Sequence, residues 1–485
     1  MRTISELFFG LKCKFLGDPN AAVDNLTDCN IKANKTSMFF AIHGNCCDGN
    51  SFIADVVGRG CGVIVTEHFH PQIDSVTFVI VDNVRMVMAV VAKRFFCMPD
   101  EDLYIYCVTG TNGKTSITYL LDHLEAMKTA VLGTIGYKIG AVEGWLSNTT
   151  PGAIDLFNLL DCARRNDCKV VAMEASSHAL YQKRTHGLSV DVAIFSNLSE
   201  DHLEYHDGID NYFKAKEILF LGDNGFLPDM AIVNADDKYG RILAEKIRSF
   251  TNSEVITYGT DLLADFHVSD ISLSLALTSF VLNVCGKVYH CEMPLVGKYN
   301  VMNVLAAVAA ASSMADIEVL IDKVKNFPGV PGRLQRVVNG IGVSIFVDYA
   351  HTEDALINVL STLKPLTKNK LIVVFGCGGN RDKAKRPKMS RAALTFGDVV
   401  IATSDNPRDE AIKDIFLDMK NGVYGTDRMI FVEAREEAIH LAISVASEGD
   451  TILIAGKGHE KFQQFSDRKI HFDDVEAVLN VLAMR

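Results

Sequence analysis

"LYIYCVTGTNGKTS", residues 103–116, decides how the rest of the chain is read. Its first half is an uncharged apolar and aromatic run of strand length. Its second half sets Gly110 and Gly113 ahead of a lysine and two hydroxyl residues. A strand that breaks into a glycine loop and then a helix brings backbone N–H groups against phosphate oxygens. In this frame Lys114 supplies a mobile positive charge, and the Thr115 hydroxyl can ligate Mg²⁺. The full phosphate-loop pattern would have its first glycine at Val108, so a mere tight strand-to-helix turn stands as the lesser alternative to nucleotide binding. The context of strand, glycine loop and helix favours a nucleotide.

Outward from this stretch the pattern repeats. "KVVAMEASS" (169–177), "VDVAIFSNLS" (190–199) and "DMAIVNADD" (229–237) are apolar runs, each followed by a longer amphipathic stretch. Strands spaced by helices predict parallel βαβ units with both sheet faces covered. The rhythm breaks at "NFPGVPGRLQRV" (326–337), where prolines and glycines disfavour a continuous element and predict a linker. It restarts with "VSIFVDYAH", "KLIVVFGCGGN", "DVVIATSDNPR", "RMIFVE" and "DTILIAGKGHE". The expectation is an α/β protein of three domains: a smaller N-terminal α/β domain (1–95), a central P-loop-type doubly wound parallel sheet (96–330), and a C-terminal Rossmann-like α/β domain (331–485).

Composition narrows the function classes. A chain of 485 residues, 48% apolar, can bury a large core in several domains. Its net charge of -12 argues against nonspecific binding of a nucleic-acid backbone, so any anionic ligand must be held by local devices. No stretch reaches the roughly 18 uncharged apolar residues of a membrane span, and "MRTISELFFGLKCKFLGD" lacks a signal-peptide core; the expected location is the cytoplasm. Twelve cysteines are scattered without a C-x-x-C pair. Several lie in apolar runs (Cys107, Cys162, Cys377), and the vicinal Cys46-Cys47 suits a disulfide poorly, so reduced, mostly buried thiols are expected.

In open α/β sheets ligands collect at the carboxyl ends of strands, and every unusual polar cluster here follows an apolar run. Singly each is ordinary turn chemistry; together they predict a site. Metal ligands for a nucleotide are available in Glu174, Asp201 and His202. "DHLEYH" opens what reads as a helix running to "YFKAKEILF", with Lys216 on its apolar stretch, where a lysine is ordinarily solvated or snorkelling.

"TGTNGKTS", "NTTP", "MEASSHAL", "NLSEDHLEYH", "YFKAKEILF", "NADD", "VGKYNVMNVLAA", "PGRLQRV", "DYAHT", "GCGGNRDKAKRP", "DNPR" and "GKGHE" follow one another in an order that resembles the Mur ligase family over essentially the whole chain. The resemblance implies an ATP-dependent, ADP-forming amide ligase of peptidoglycan precursor synthesis. It points most strongly to members that add meso-2,6-diaminopimelate to UDP-N-acetylmuramoyl-L-alanyl-D-glutamate through an acyl phosphate. It implies Lys114, Lys216, His202 and Glu174 as catalytic residues, two Mg²⁺ ions, and a Lys216 carbamylated by CO₂ that ligates metal with Thr115, Glu174 and His202. A carbamate attracts Mg²⁺ where an ammonium would repel it. ATP would meet Gly110, Thr111, Asn112, Gly113, Lys114, Thr115, Ser116, Asn234, Asn303, Arg333 and Asp348, the last two after a domain closure. Asn148, Thr149, Thr150, Ser176, Gln182 and Arg184 would hold the muramoyl dipeptide, with the UDP moiety on the N-terminal domain. There the family's serine after an aspartate is replaced by Cys29 after Asp28. Partners would be these small molecules, without nucleic acid or membrane span, for a monomeric enzyme.

The stretch "TSDNPRDE" (403–410) carries the choice of amino acid. Diaminopimelate differs from lysine by one distal carboxylate, which a guanidinium fork at Arg408 can take bidentately, and Pro407 is expected to aim it. By resemblance, Arg381, Asp405, Asn406, Pro407, Gly456 and Glu460 complete the pocket. The rival readings are a lysine-adding relative, which lacks the arginine, a folylpolyglutamate synthetase-like ligase, and a nucleotide-operated binding module without amide synthesis.

Overall fold

In the structure, a computed structural model, the uncharged run is strand β1 (Tyr104–Thr109), and every residue from Ile105 on is buried. The structure describes residues 1–484 except 45–46, 71–72, 74–75, 422 and 424–427. The described residues fall into two units, Met1–His267 with Met302–Leu320, and Val268–Val301 with Ile321–Arg485.

In the first unit β1 is joined by β2 (Thr129–Gly133), β3 (Val170–Glu174), β4 (Val192–Phe195), β5 (Met230–Asn234) and β6 (Glu254–Gly259), all parallel. Their spatial order is β2-β3-β1-β4-β5-β6. The chain therefore extends the sheet on one side of β1 and then on the other, so the loops after β1, β3 and β4 part at one crevice. The central strands β1, β3 and β4 are buried almost end to end, as in a parallel sheet covered on both faces. Ile105, Cys107, Met173 and Phe195 belong to one core with the N-terminal segment. That segment has its own five-stranded sheet, in the order Cys13–Leu16, Thr77–Val81, Val63–Thr66, Ser37–Phe40, Asn25–Thr27, with only the first pair antiparallel.

Helix α1 (Lys114–Leu124) starts from Gly113, and α2 (Ser177–Tyr181) is capped by Ser176. The single helix expected across "DHLEYH…EILF" is broken into α3 (Leu203–His206) and α4 (Ile209–Glu217). Asp207 and Gly208 have φ of 55° and 107°, a left-handed turn that ends one helix and opens the next.

Helix α5 (Lys238–Phe250) is capped by Asp237, whose Oδ1 accepts from Tyr239 N (2.9 Å) and Gly240 N (3.0 Å) while Oδ2 accepts from Leu198 N (3.0 Å). Asp237→Ala leaves three donors unmatched and is expected to cost about 2 kcal/mol. A lower urea midpoint at unchanged slope would register it.

The second unit contains β7 (Ser344–Asp348), β8 (Leu371–Cys377), β9 (Val399–Ser404), β10 (Met429–Val432) and β11 (Thr451–Ala455), parallel in the order β7-β11-β8-β9-β10. Helices α6 (Glu353–Leu363), α7 (Lys385–Phe396), α8 (Ile412–Lys420), α9 (Arg435–Val445) and α10 (Asp474–Ala483) pack around them. The stretch expected as a linker, 326–337, is not wholly one: Gln335–Val337 pairs antiparallel with β7 as an edge strand. Ala455 is in register with both Asp348 and Phe375, and Cys377 with Ser404, so four strands end nearly level.

All eleven described cysteines are unpaired, five buried and three exposed, so the thiols are less buried than their apolar surroundings suggest. Cys46 of the vicinal pair lies outside the described residues. Among the described residues no helix is long and apolar enough to cross a membrane.

Candidate active site

The loop after β1 is built to keep its backbone close to its neighbours. Gly113 has φ 90°, and a Cβ there would collide with the Asn303 side-chain oxygen, so only glycine fits both the turn and the approach. Lys114 Nζ donates to the Gly110 and Thr111 carbonyls (2.9 Å each), Thr115 is buried in the first turn of α1, and Ser116 follows it half-buried. The loop after β4 braces this one: Asn197 O accepts from Thr111 N (2.8 Å), its Oδ1 accepts from Asn112 N (3.0 Å), and Ser196 Oγ donates to Asn112 O (2.5 Å). Asn234, buried at the end of β5, donates from Nδ2 to Ser196 O (2.7 Å). The strand ends thus gather Gly110, Asn234 and Asn303 around one loop.

Lys216 departs from the solvated position usual for a lysine on an apolar stretch. It is 1% exposed, with Nζ 2.8 Å from Gly110 O and 4.4 Å from the centroid of the Tyr212 ring. Burial, reinforced by the nearby Lys114 charge, holds its amine well below the usual lysine range. The solvated-lysine rule fails because α4 turns this position inward against the phosphate-binding loop.

Glu174, at the end of β3, is 1% exposed and has no cationic partner among the described residues. Its carboxylate accepts from Thr134 N (2.8 Å) and Thr134 Oγ1 (3.0 Å). His202 sits at φ 53°, its ring 4.8 Å from that of His178 and its Nε2 3.5 Å from Asp201 Oδ2. Among the described residues no three His, Cys, Asp or Glu side chains gather as a ready-made metal set. Glu174 and His202 nonetheless bring a carboxylate and an imidazole, donor types that suit a divalent cation.

Around Glu174 lies a cluster of polar side chains. Thr150 Oγ1 donates to Glu174 O (2.8 Å) and accepts from Ser176 N (3.0 Å), and Thr149 Oγ1 lies 3.1 Å from Thr134 Oγ1. Arg184 donates to Thr150 O (2.8 Å) and Gln182 Oε1 (2.8 Å), and Gln182 in turn donates to Tyr205 OH (2.8 Å). Burial lowers the Arg184 pKa, and among the described residues no carboxylate pairs with it, so it is prepared for an anionic ligand. Asn148 stands apart, exposed, and among the described residues bonds only Ser147 Oγ (3.2 Å).

In the second unit, Arg333 stacks 5.1 Å from the centroid of the Tyr349 ring, and the Asp348 carboxylate accepts from Leu334 N (2.6 Å) and Ala350 N (2.8 Å). Burial raises the Asp348 pKa. The level strand ends enclose a cleft of about 200 Å³, lined by Arg381, Asp405, Asn406, Arg408, Gly456 and Glu460, the set expected from sequence. Pro407 is not in that lining, whereas Tyr349, His351 and Lys385 are; they lie in the stretches "DYAHT" and "GCGGNRDKAKRP" but were assigned no role there. The cleft is below the ~300 Å³ of drug-sized pockets and combines both signs of charge, which suits a small zwitterion.

Arg408 is aimed by its own backbone, at φ 51°, rather than by Pro407 alone. Its N donates to Gln464 O (3.0 Å) and its Nη1 to Gly379 O (2.8 Å); Nε and Nη2 have no acceptor among the described residues, leaving an open fork. Opposite in charge, Glu460 Oε2 accepts from Asn406 Nδ2 (2.8 Å) and lies 3.3 Å from the fully buried Lys457 Nζ.

Comparison with known proteins shows the family. Residues 108–311 match the Mur ligase middle domain and 332–458 the Mur ligase glutamate ligase domain. The chain is 42% identical to the UDP-N-acetylmuramoyl-L-alanyl-D-glutamate–2,6-diaminopimelate ligase of Halalkalibacterium halodurans, over 90% of each chain. It is 40% identical to the ligase of the same name from Solibacter usitatus, over 92% of this chain and 90% of the other. A solved structure of a ligase so named is 34% identical, covers 99% of both chains and superposes with a TM-score of 0.73.

Proposed function

The chain belongs to the Mur ligase family, and we propose that it is the member that joins meso-2,6-diaminopimelate to UDP-N-acetylmuramoyl-L-alanyl-D-glutamate. It is an ATP-dependent, ADP-forming amide ligase of peptidoglycan precursor synthesis. The single observation that carries the amino-acid choice is the open guanidinium fork of Arg408 in a cleft that also holds Glu460. One end of the amino acid then meets a cation and an anion together, as a carboxylate and an ammonium on one carbon require.

The chemistry follows from energetics. A carboxylate is a poor electrophile, so the terminal carboxylate of the dipeptide attacks the γ-phosphorus of ATP, forming an acyl phosphate and releasing ADP. The amine of diaminopimelate adds to the acyl carbon, loses a proton and expels inorganic phosphate, leaving the new amide. Lys114 exchanges its two loop carbonyls for phosphate oxygens and offsets the charge that develops on the transferred group. Arg184, held by Thr150 and Gln182, takes an anionic group of the dipeptide. Glu174, His202, Thr115 and a carbamylated Lys216 would hold Mg²⁺, which when bound neutralises phosphate charge. The burial of Lys216 supports that modification, because it favours the neutral form of the amine and only a neutral amine attacks CO₂.

We extend the proposal to a monomeric cytoplasmic enzyme of three domains, 1–95, 96–330 and 331–485, the first binding the UDP group. The three separate sheets centred in those ranges support the division. Phosphate release is expected only when ATP, the UDP-muramoyl dipeptide and meso-diaminopimelate are all present. Release with the dipeptide and no amino acid would favour a nucleotide-operated module, and release with a folate acceptor would favour the folylpolyglutamate rival.

A further inference from the structure

One ion pair outside the cleft lies behind the two loops that form it. Arg386, in the first turn of α7, has a fully buried guanidinium. Its Nη1 donates to Glu410 Oε2 (2.9 Å) and Asp418 Oδ2 (2.8 Å), and its Nη2 to Gly378 O (3.0 Å). The other oxygen of Glu410 accepts from Asn380 N (2.6 Å). A single carboxylate, anchored on one buried cation, thus ties the loop after β8 to the loop after β9. Lys383 approaches the same carboxylate to 3.6 Å.

Between the two loops the contacts interlock. Gly379 N donates to Asn406 O (2.9 Å), Asp409 N to Asn380 Oδ1 (3.1 Å), and Arg408 Nη1 to Gly379 O (2.8 Å). A Cβ at Gly379 would collide with the Pro407 carbonyl oxygen, so the loops touch backbone to backbone. Two residues, Asn380 at φ 52° and Arg408 at φ 51°, occupy the left-handed region that non-glycine residues adopt only when their surroundings hold them there. Glu410 grips the first directly and lies two residues from the second. Neither Arg386 nor Glu410 lines the cleft, so neither touches the amino acid.

We propose that the Arg386–Glu410 pair is the positioning device for the Arg408 fork, and so sets the preference for an amino acid with a distal carboxylate over one without it. The inference rests on the functional reading above. Its force comes from the two donors that converge on Glu410: a carboxylate serves both with separate oxygens, whereas the isosteric amide has one acceptor and must turn its NH₂ toward a second donor. Arg386 holds the Glu410 carboxyl down at about 2, so the anchor stays charged at any working pH.

The test is Glu410→Gln in the full-length enzyme, with steady-state phosphate release measured against meso-diaminopimelate and L-lysine at saturating ATP and dipeptide. The variant is expected to raise KM for diaminopimelate about tenfold and to reduce its preference over lysine by a similar factor, with kcat and KM for ATP within about twofold. In an Arg408→Ala background the same change is expected to add less than about twofold, because there is no fork left to aim. Asp418→Asn, which can keep its one bond to Arg386, is expected to change KM by less than about twofold. Should Glu410→Gln be insoluble, Glu410→Asp gives an independent reading: it keeps the charge but is too short to reach both donors. An unmoved KM, a loss as large in the Arg408→Ala background, or an equal loss in Asp418→Asn would overturn the inference while leaving the functional reading standing. A wild-type enzyme without diaminopimelate-dependent turnover would overturn both.

Discussion

Lys216→Met is expected to lower kcat by about three orders of magnitude while leaving the fold intact, the size of loss that follows removal of a charge-stabilising group from a phosphoryl- or acyl-transfer site. Methionine fills similar space and has no ammonium to bury, so the loss cannot be assigned to unfolding if the urea midpoint is unchanged or higher. Burial, then the neighbouring Lys114, favours the neutral amine. With its folded pKa lowered by burial, Lys216 gives up its proton more readily than an exposed lysine, which favours reaction with CO₂. Buffer stripped of CO₂ is therefore expected to inactivate the wild-type enzyme slowly, bicarbonate to restore it, and ¹³C-bicarbonate to give a carbamate resonance that Lys216→Met lacks. A fully active enzyme in CO₂-free buffer would refute the carbamate assignment.

Arg408→Ala is expected to reduce kcat/KM for meso-diaminopimelate by at least about 100-fold, from two charge-assisted bonds of roughly 1.5–3 kcal/mol each, some of which water recovers. Lysine, which has no carboxylate for the fork, should change by less than about threefold. Arg408→Lys keeps the charge but offers a point donor in place of a planar fork, and is expected to fall between the two. Competition between the two amino acids in one assay measures the ratio directly. An unchanged ratio would mean that the cleft reads some other feature of its ligand.

Much of this architecture was legible because parallel strands buried on both faces are written as uninterrupted apolar runs. "KLIVVFGC" gave β8 almost to the residue for that reason. The candidate residues converge because ligand loops must follow such strands, and β11 lies between β7 and β8, so distant segments such as 405–408 and 456–460 open onto one cleft. What the sequence concealed were conformations fixed by tertiary contact. Asp207 before Gly208 is a local turn signal that the helical pattern masked, whereas nothing local announces that Arg408 adopts positive φ, because an arginine favours ordinary helix or strand geometry and only packing forces the turn. Arg386 was hidden similarly: a long cation reads as a surface residue until its partners, Glu410 and Asp418, are brought in from distant segments. Spacing alone concealed Lys216 in the same way, and only the family resemblance marked it.

The place of β11 between β7 and β8 also governs how the second unit is made. During synthesis β7 and β8 emerge first, and the slot between them stays open until residues 378–450 have followed. At about 5–20 residues per second this exposes apolar strand edges for several seconds. Nascent chains in that interval are natural clients for chaperones, and ribosome stalling within 378–450 would prolong the exposure and favour aggregation.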